Sequence, residues 1–253
     1  MPMPRFAANL SLLWTELPYL ERFAAAADAG FEGVEVLFPY EFAAQETRRA
    51  LISAGLDFVL MNAPPPNYAG GVPGYAALPG GEARFARDIR RVMRYADLLR
   101  PAFIHVMAGE GEGPEARDAF VANLAMAADA APEQAFTIEP LNRESFPGYF
   151  LADYQQALEI LDAVGRPNLG LQYDSFHATE IHGDALKVWE QVRHRVTHAQ
   201  IGDAPGRGAP GSGSIDFAAL FAAIDDSGYD GWISAEYLPG TRTDKTLGWM
   251  KSR

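Results

Sequence analysis

Short, mainly apolar runs of β type alternate with longer helical patterns from one end of the chain to the other. This alternation constrains the fold more than any other feature. The runs that read as strands are Arg5–Leu10, Gly33–Phe38, Asp57–Asn62, Phe103–Met107, Phe136–Glu139, Leu169–Tyr173, Thr197–Ile201 and Trp232–Glu236. Helical patterns lie between them at Glu16–Ala29, Glu41–Ala54, Gly81–Leu99, Pro114–Ala131, Asp153–Val164, Gly183–Arg193 and Phe217–Ser227. Ala29-Gly30, Ala54-Gly55 and Ser227-Gly228 each put a glycine where a helix has to stop, because glycine enters the left-handed region without Cβ strain. About eight βα units in 253 residues is the size of a closed barrel, whereas a doubly wound open sheet ordinarily uses fewer strands. The expected fold class is α/β, a (β/α)8 TIM barrel. Residues 1–253 are expected to form one domain, because no linker divides them.

Parallel strands in a barrel all end on one face, and active sites are built there. Three stretches rich in glycine and proline, 63–81, 140–149 and 202–214, each follow a strand and so share that face. The last four strands end in oxygen donors: Thr137-Ile-Glu139, Leu171-Gln-Tyr-Asp174, His198-Ala-Gln200 and Ser234-Ala-Glu236. Each donor follows the previous one by roughly one βα unit, so closure brings all four to one rim. A lone acid at a strand end ordinarily caps the next helix or meets solvent, but independent capping does not predict a donor at four successive equivalent positions. Three carboxylates gathered at a rim repel one another and raise one another's pKa unless a cation neutralises them. Glu139, Asp174, Gln200 and Glu236 form a hard donor set suited to Mg2+ or Mn2+, with nothing to choose between the two.

The five histidines divide by position. His177, three residues after Asp174, is a candidate for substrate contact, with helix capping as its ordinary alternative. His198 shares the facing of Gln200 on an alternating strand and lies one layer deeper. His105 reads as a core residue of the fourth strand, and His182 and His194 read as surface positions. Asn67, Tyr68 and Tyr75 in the 63–81 stretch suit either a lid that excludes water or simple packing.

Composition removes several function classes. Without cysteine there is no disulfide, no thiolate nucleophile and no Cys-ligated zinc or iron-sulfur site. A formal net charge of -12 with no basic patch disfavours nucleic acid as a partner. No apolar run has membrane-spanning length, and the first residues lack the basic and apolar regions of a secretory signal, so a cytoplasmic protein is expected. A homo-oligomer is compatible with this size but nothing in the sequence requires one.

At the polar strand ends the sequence resembles the hydroxypyruvate isomerase family, within the xylose-isomerase-like TIM barrels that include the ketose 3-epimerases, and it also resembles the 2-oxo-tetronate isomerases. The resemblance runs from Arg5-Phe-Ala-Ala-Asn-Leu-Ser11 through Ala77-Leu-Pro-Gly80 and Val106-Met-Ala-Gly109. It is densest in Ile138-Glu-Pro-Leu-Asn142 and Pro147-Gly-Tyr-Phe150. It continues in Gln172-Tyr-Asp-Ser-Phe-His177, His198-Ala-Gln-Ile-Gly-Asp203, Pro205-Gly-Arg207 and Gly228-Tyr-Asp-Gly-Trp232. The resemblance implies that Glu139, Asp174, Gln200 and Glu236 are metal ligands, the same four that the spacing selects. It implies further that Glu139 and Glu236 are the acid/base pair, and that His177 and Arg207 contact oxygens of a small hydroxy or oxo acid substrate. The implied reaction is an aldose-ketose type isomerisation through an enediolate. A ketose 3-epimerase, a metal phosphoesterase of the apurinic-endonuclease kind and a noncatalytic barrel that binds a sugar acid are the alternatives. After Arg207 the family commonly shows His-Glu-Pro-Gly-Thr-Gly-Glu, whereas this chain reads Gly208-Ala-Pro-Gly-Ser-Gly-Ser214, two acids and one imidazole fewer.

Overall fold

The computed structural model describes residues 4–63 and 74–251. Eight parallel strands close into a barrel in sequence order. They are β1 (Arg5–Asn9), β2 (Gly33–Glu35), β3 (Asp57–Ala63), β4 (Phe103–Val106), β5 (Ala135–Ile138), β6 (Leu169–Asp174), β7 (Val196–Ile201) and β8 (Trp232–Ala235). Closure is made by β1 against β8, with Arg5 opposite Trp232 and Ala8 opposite Ala235. All eight expected strands are present, and the expected (β/α)8 barrel is the fold observed.

The helices are α1 (Glu21–Asp28), α2 (Ala44–Ala54), α3 (Glu82–Leu99), α4 (Gly113–Ala130), α5 (Tyr154–Val164), α6 (Ser175–His182), α7 (Ala185–Val192) and α8 (Phe217–Asp226). Three differ from expectation, each for a local reason. α1 begins at Glu21 rather than Glu16 because Pro18 lacks an N–H and biases Leu17 away from helical space, leaving residues 10–16 in turns. Pro39–Glu41 forms a separate 3-10 turn before α2. α6 was not expected, because Ser175-Phe-His-Ala-Thr-Glu-Ile-His182 has no strong apolar face; it starts because the Asp174 side chain accepts N–H bonds from Phe176 and His177. Asp153, Asp184 and Asp216 cap α5, α7 and α8 in the same way. Such a cap is worth about 1 kcal/mol.

The outer helices bury stripes at three- and four-residue spacing: Phe85, Ile89, Val92, Ala96 and Leu99 on α3, and Ala185, Val188, Trp189 and Val192 on α7. Each large apolar side chain so buried contributes roughly 1.5–3 kcal/mol. Inside the barrel, Ala7, Val59, Leu60 and Trp232, with Phe103 against them, plug the amino end. Gly33 belongs to this plug, since a Cβ there would sit 2.7 Å from Val59 and 2.8 Å from the Trp232 ring. Toward the carboxyl end the interior turns polar, with Asn9, Glu35, Thr137, Gln172, His198, Gln200 and Ser234 all buried. The 3-10 segment Thr243–Lys251 is clasped to the first loop: Trp14 N donates to Thr243 Oγ1 at 2.6 Å, Trp14 Nε1 to Asp244 Oδ1 at 2.9 Å, and Thr243 N to Glu16 Oε1 at 2.9 Å. Among the described residues no helix is long and apolar enough to cross a membrane.

Candidate active site

A cavity of about 320 Å3 opens at the carboxyl ends of the strands. Its polar wall carries Asn62, His105, Glu139, Gln172, His177, Arg207 and Glu236, and its apolar wall includes Leu12, Phe38, Phe146 and Leu238. A wider groove of about 730 Å3 lies by Arg100, Pro101 and Gln134, just before β4 and β5, and so opens on the amino-terminal face away from these acids.

Strand ends place the acids as the spacing requires. Asp174 is the last residue of β6, while Glu139 and Glu236 fall one residue past β5 and β8. All three are buried. Asp174 divides its oxygens between two tasks: Oδ1 caps α6, and Oδ2 accepts from Arg207 Nη2 at 3.0 Å. The same Nη2 lies 2.8 Å from Glu236 Oε1. One oxygen of Asp174 thus caps a helix while the other faces Arg207.

Electrostatics follow from this crowding. Burial and the neighbouring Glu236 and Asp174 push the Glu139 pKa well above the usual carboxylate range. Burial raises Glu236 to about 8, although Arg207 pulls against it. Asp174 is raised by burial and restrained by Arg207 and its two capping N–H groups. Burial disfavours charge on Arg207 itself, but Glu236 and Asp174 outweigh that and hold it firmly protonated. The His177 ring is held between Asn142, whose backbone N lies 3.1 Å from Nδ1, and Arg207, whose Nη1 lies 3.2 Å from Nε2. Burial and Arg207 lower its pKa well below the usual value, so the ring is neutral. His105 is lowered to about 3 by burial and His198.

The donor set fits a divalent cation. Single ligand atoms of Glu139, Asp174 and His177 lie within 4.8 Å of one another. Glu139 Oε1 and Glu236 Oε2 are buried and have no hydrogen-bond partner among the described residues. Unpaired buried carboxylate oxygens are costly, and a hard cation is the group that satisfies several at once.

Five of the six residues singled out from sequence, Glu139, Asp174, His177, Arg207 and Glu236, converge directly. The sixth, Gln200, is buried beside them, where its Nε2 donates to Glu35 Oε2 at 2.9 Å and its Oε1 accepts from Gln172 Nε2 at 2.7 Å. Gln172 Nε2 also donates to Glu139 Oε2 at 2.8 Å, so one amide ties Gln200 to Glu139. Sequence reasoning missed Glu35, whose carboxylate also accepts from Asn9 and pairs with the buried His198. In the sequence it sits inside the apolar run Gly33–Phe38, so the strand-end signal that found the others does not mark it; only in the structure is it the last residue of β2. His198 faces the interior as expected, whereas His105 is both a core residue and part of the cavity wall. His182 lies at the surface against Asp153. Asn67 and Tyr68 lie outside the described residues, and Tyr75 bonds Asp88 on α3 instead of lining the cavity.

Arg207 is held by its loop. Its φ of 55° is in the left-handed region, which is uncommon for a side chain of this size. The loop is fixed from within by Asp203, whose buried carboxylate accepts N–H bonds from Ala204, Gly211, Gly213 and Ile215 at 2.8–3.0 Å. Glycine is needed at both inner donors, because Gly211 has a φ of 89° and a Cβ on Gly213 would lie 2.2 Å from Ala204 O; both positions are glycine in the family pattern too.

Fold and site together define a closed (β/α)8 barrel whose carboxyl-end cavity gathers three buried acids around a cationic centre. The family model of the xylose isomerase-like TIM barrel matches residues 23–253. A 2-oxo-tetronate isomerase of Cupriavidus necator is 44% identical over 98% of both chains, and a hydroxypyruvate isomerase of Escherichia coli is 37% identical over 98% of both. A solved structure described as an AP endonuclease of family 2 from Brucella melitensis is 38% identical, with a TM-score of 0.94 over 99% of both chains. The chain belongs to the xylose isomerase-like TIM barrel family and, within it, to the branch of the hydroxypyruvate and 2-oxo-tetronate isomerases.

Proposed function

We propose that this chain, an isomerase by its family, interconverts a small 2-oxo acid and its hydroxy-carbonyl isomer by proton transfer through an enediolate. Hydroxypyruvate with tartronate semialdehyde, and 2-oxo-tetronate with its 3-oxo isomer, are the substrate pairs in view. The observation that carries the reading is the buried cluster of Glu139, Asp174 and Glu236 beside Arg207 and the His177 ring.

In this reading Glu139, Asp174, Gln200 and Glu236 hold a divalent cation, Mg2+ or Mn2+. Once bound, the cation supplies positive charge that stabilises an enediolate's oxygens. Arg207 pairs with the substrate carboxylate, for which its planar fork is suited, and His177 contacts a neighbouring oxygen. One glutamate removes the proton from the hydroxyl-bearing carbon, and the C–H electron pair becomes the C=C bond of the enediolate. The other glutamate delivers a proton to the former carbonyl carbon. The hydroxyl proton passes to the former carbonyl oxygen, so one hydrogen has moved between adjacent carbons and one between their oxygens, and no oxidant is needed. A carboxylate with a pKa near neutrality suits this exchange better than an ordinary one. The apolar wall of Leu12, Phe38, Phe146 and Leu238 limits the water that could quench the intermediate.

The test is turnover of hydroxypyruvate and 2-oxo-tetronate by chelated enzyme reconstituted with Mg2+ or Mn2+, followed by NMR in deuterated water. Glu236→Gln is expected to lose roughly 10²-fold or more in rate. Near wild-type turnover in that variant refutes the role of Glu236. Failure of the reconstituted wild type on both acids refutes the reading, and cleavage of abasic DNA by the same preparation would replace it with a phosphodiesterase. The net charge of -12 argues against that outcome.

A further inference from the structure

One part of the cavity wall is left over from this mechanism. Asn62 on β3 and His105 on β4 are partners across the two strands. Both line the cavity and are only 3% and 2% exposed. Among the described residues, Asn62 Oδ1 and His105 Nε2 have no hydrogen-bond partner. The other ends of both groups are engaged: Asn62 Nδ2 donates to Met107 Sδ at 3.6 Å, and His105 Nδ1 lies 3.6 Å from Glu139 Oε2. Leaving one buried polar group unpaired costs about 1–3 kcal/mol. Two such groups side by side on a cavity wall amount to a preformed polar site.

The chemistry of the pair selects its ligand. A carboxylate is repelled by the Asn62 carbonyl oxygen and by Glu139 nearby. A hydroxyl both donates and accepts, so it can serve Asn62 Oδ1 and His105 Nε2 together, and a neutral imidazole accommodates it in either tautomer. In an eight-stranded barrel, β3 and β4 stand across from β7 and β8, and Arg207 follows β7. A substrate whose acid end meets Arg207 therefore extends its far carbons toward Asn62 and His105. In a three-carbon acid the carboxylate and the two reacting positions use every oxygen. A four-carbon acid has one hydroxyl more.

We infer that Asn62 and His105 form a hydroxyl subsite that selects a four-carbon 2-oxo acid, with its terminal hydroxyl, over a three-carbon one. This rests on the function proposed above and names its substrate class. The experiment is calorimetry on the metal-loaded protein with 2,3,4-trihydroxybutanoate and with 2,3-dihydroxybutanoate, which differ only in the terminal hydroxyl. The wild type binds the trihydroxy acid at least about tenfold more tightly, and Asn62→Leu and His105→Phe each remove most of that preference. In parallel, the ratio of kcat/KM for 2-oxo-tetronate over hydroxypyruvate falls by about tenfold in Asn62→Leu. Equal affinity for the two acids in the wild type overturns the inference without reference to any variant, and so does a preference that survives in both variants. Turnover of both oxo acids without a hydroxyl preference removes the subsite and leaves the isomerase. A hydroxyl preference without turnover of either removes the isomerase and leaves the subsite.

Discussion

The crowding of Glu139, Asp174 and Glu236 has a measurable signature in the metal-free protein: its stability falls as pH rises from 6.5 to 8. An acid whose pKa is higher folded than unfolded binds a proton in the native state that the unfolded chain has released. The stability it contributes is present at low pH and lost as pH rises through the folded value. Glu236 moves from 4.5 to about 8, and Glu139 moves in the same direction. His105, lowered from 6.5 to about 3, and His177, lowered too, act oppositely, because there the unfolded chain binds the extra proton. Their contribution grows as pH rises toward 6.5 and then levels off. The two pairs offset each other below 6.5, and only the glutamates remain above it. One proton difference is worth about 1.4 kcal/mol per pH unit, so Glu236 alone costs about 2 kcal/mol between pH 6.5 and 8. Glu139, raised in the same direction, adds to the decline. The assay is urea unfolding in chelator at half-unit pH steps, with the slope of free energy against urea held common. Glu236→Gln is expected to flatten the decline, and so is millimolar Mn2+, since a bound cation takes the place of the protons. A wild-type curve that is level or rising over this window, or an undiminished decline in Glu236→Gln, refutes the electrostatic account.

Two further outcomes follow from residues that hold others in place. Glu35→Gln leaves Gln200 free to turn its amide, so divalent-cation affinity measured by calorimetry drops about 10- to 100-fold while the far-UV spectrum is unchanged; unaltered affinity removes Glu35 from the support of the site. Asp203→Ala strips four N–H groups of their acceptor and leaves the Arg207 loop poorly fixed. KM for the acid substrate rises at least about tenfold with a smaller change in kcat, and proteolysis begins in the 203–215 segment; an unchanged KM with an intact loop contradicts this.

Much of this architecture was legible because it depends on periodicity. Each expected strand is an apolar run, and the glycines at positions 30, 55 and 228 all adopt the positive φ that their places after helices require. The rim was legible for a related reason: Glu139, Asp174, Gln200 and Glu236 recur at the spacing of the βα unit, which converts distance along the chain into proximity. What that spacing could not convey was who bonds whom. Glu35 lies on β2 and reaches His198 and Gln200 across the barrel interior, so no local pattern links them. α6 was invisible because its first turn is stabilised by a side chain already assigned to the rim. Arg207 was found through resemblance alone, since the spacing of a loop residue says nothing about where its guanidinium points.

The pairing of β1 with β8, and the clasp of Thr243 and Asp244 on Trp14, also set the order of assembly during synthesis. β8 is synthesised long after β1, so Arg5–Asn9 keeps one open backbone edge until Trp232–Ala235 has been made. A chain that stopped before Trp232 would therefore be more than a barrel short of one strand. It would expose an unpaired edge at both ends of the sheet and lose the Trp232 plug together with Glu236. Closing the ring, seating its plug and delivering its last glutamate to the rim are therefore a single event, the docking of β8 on β1.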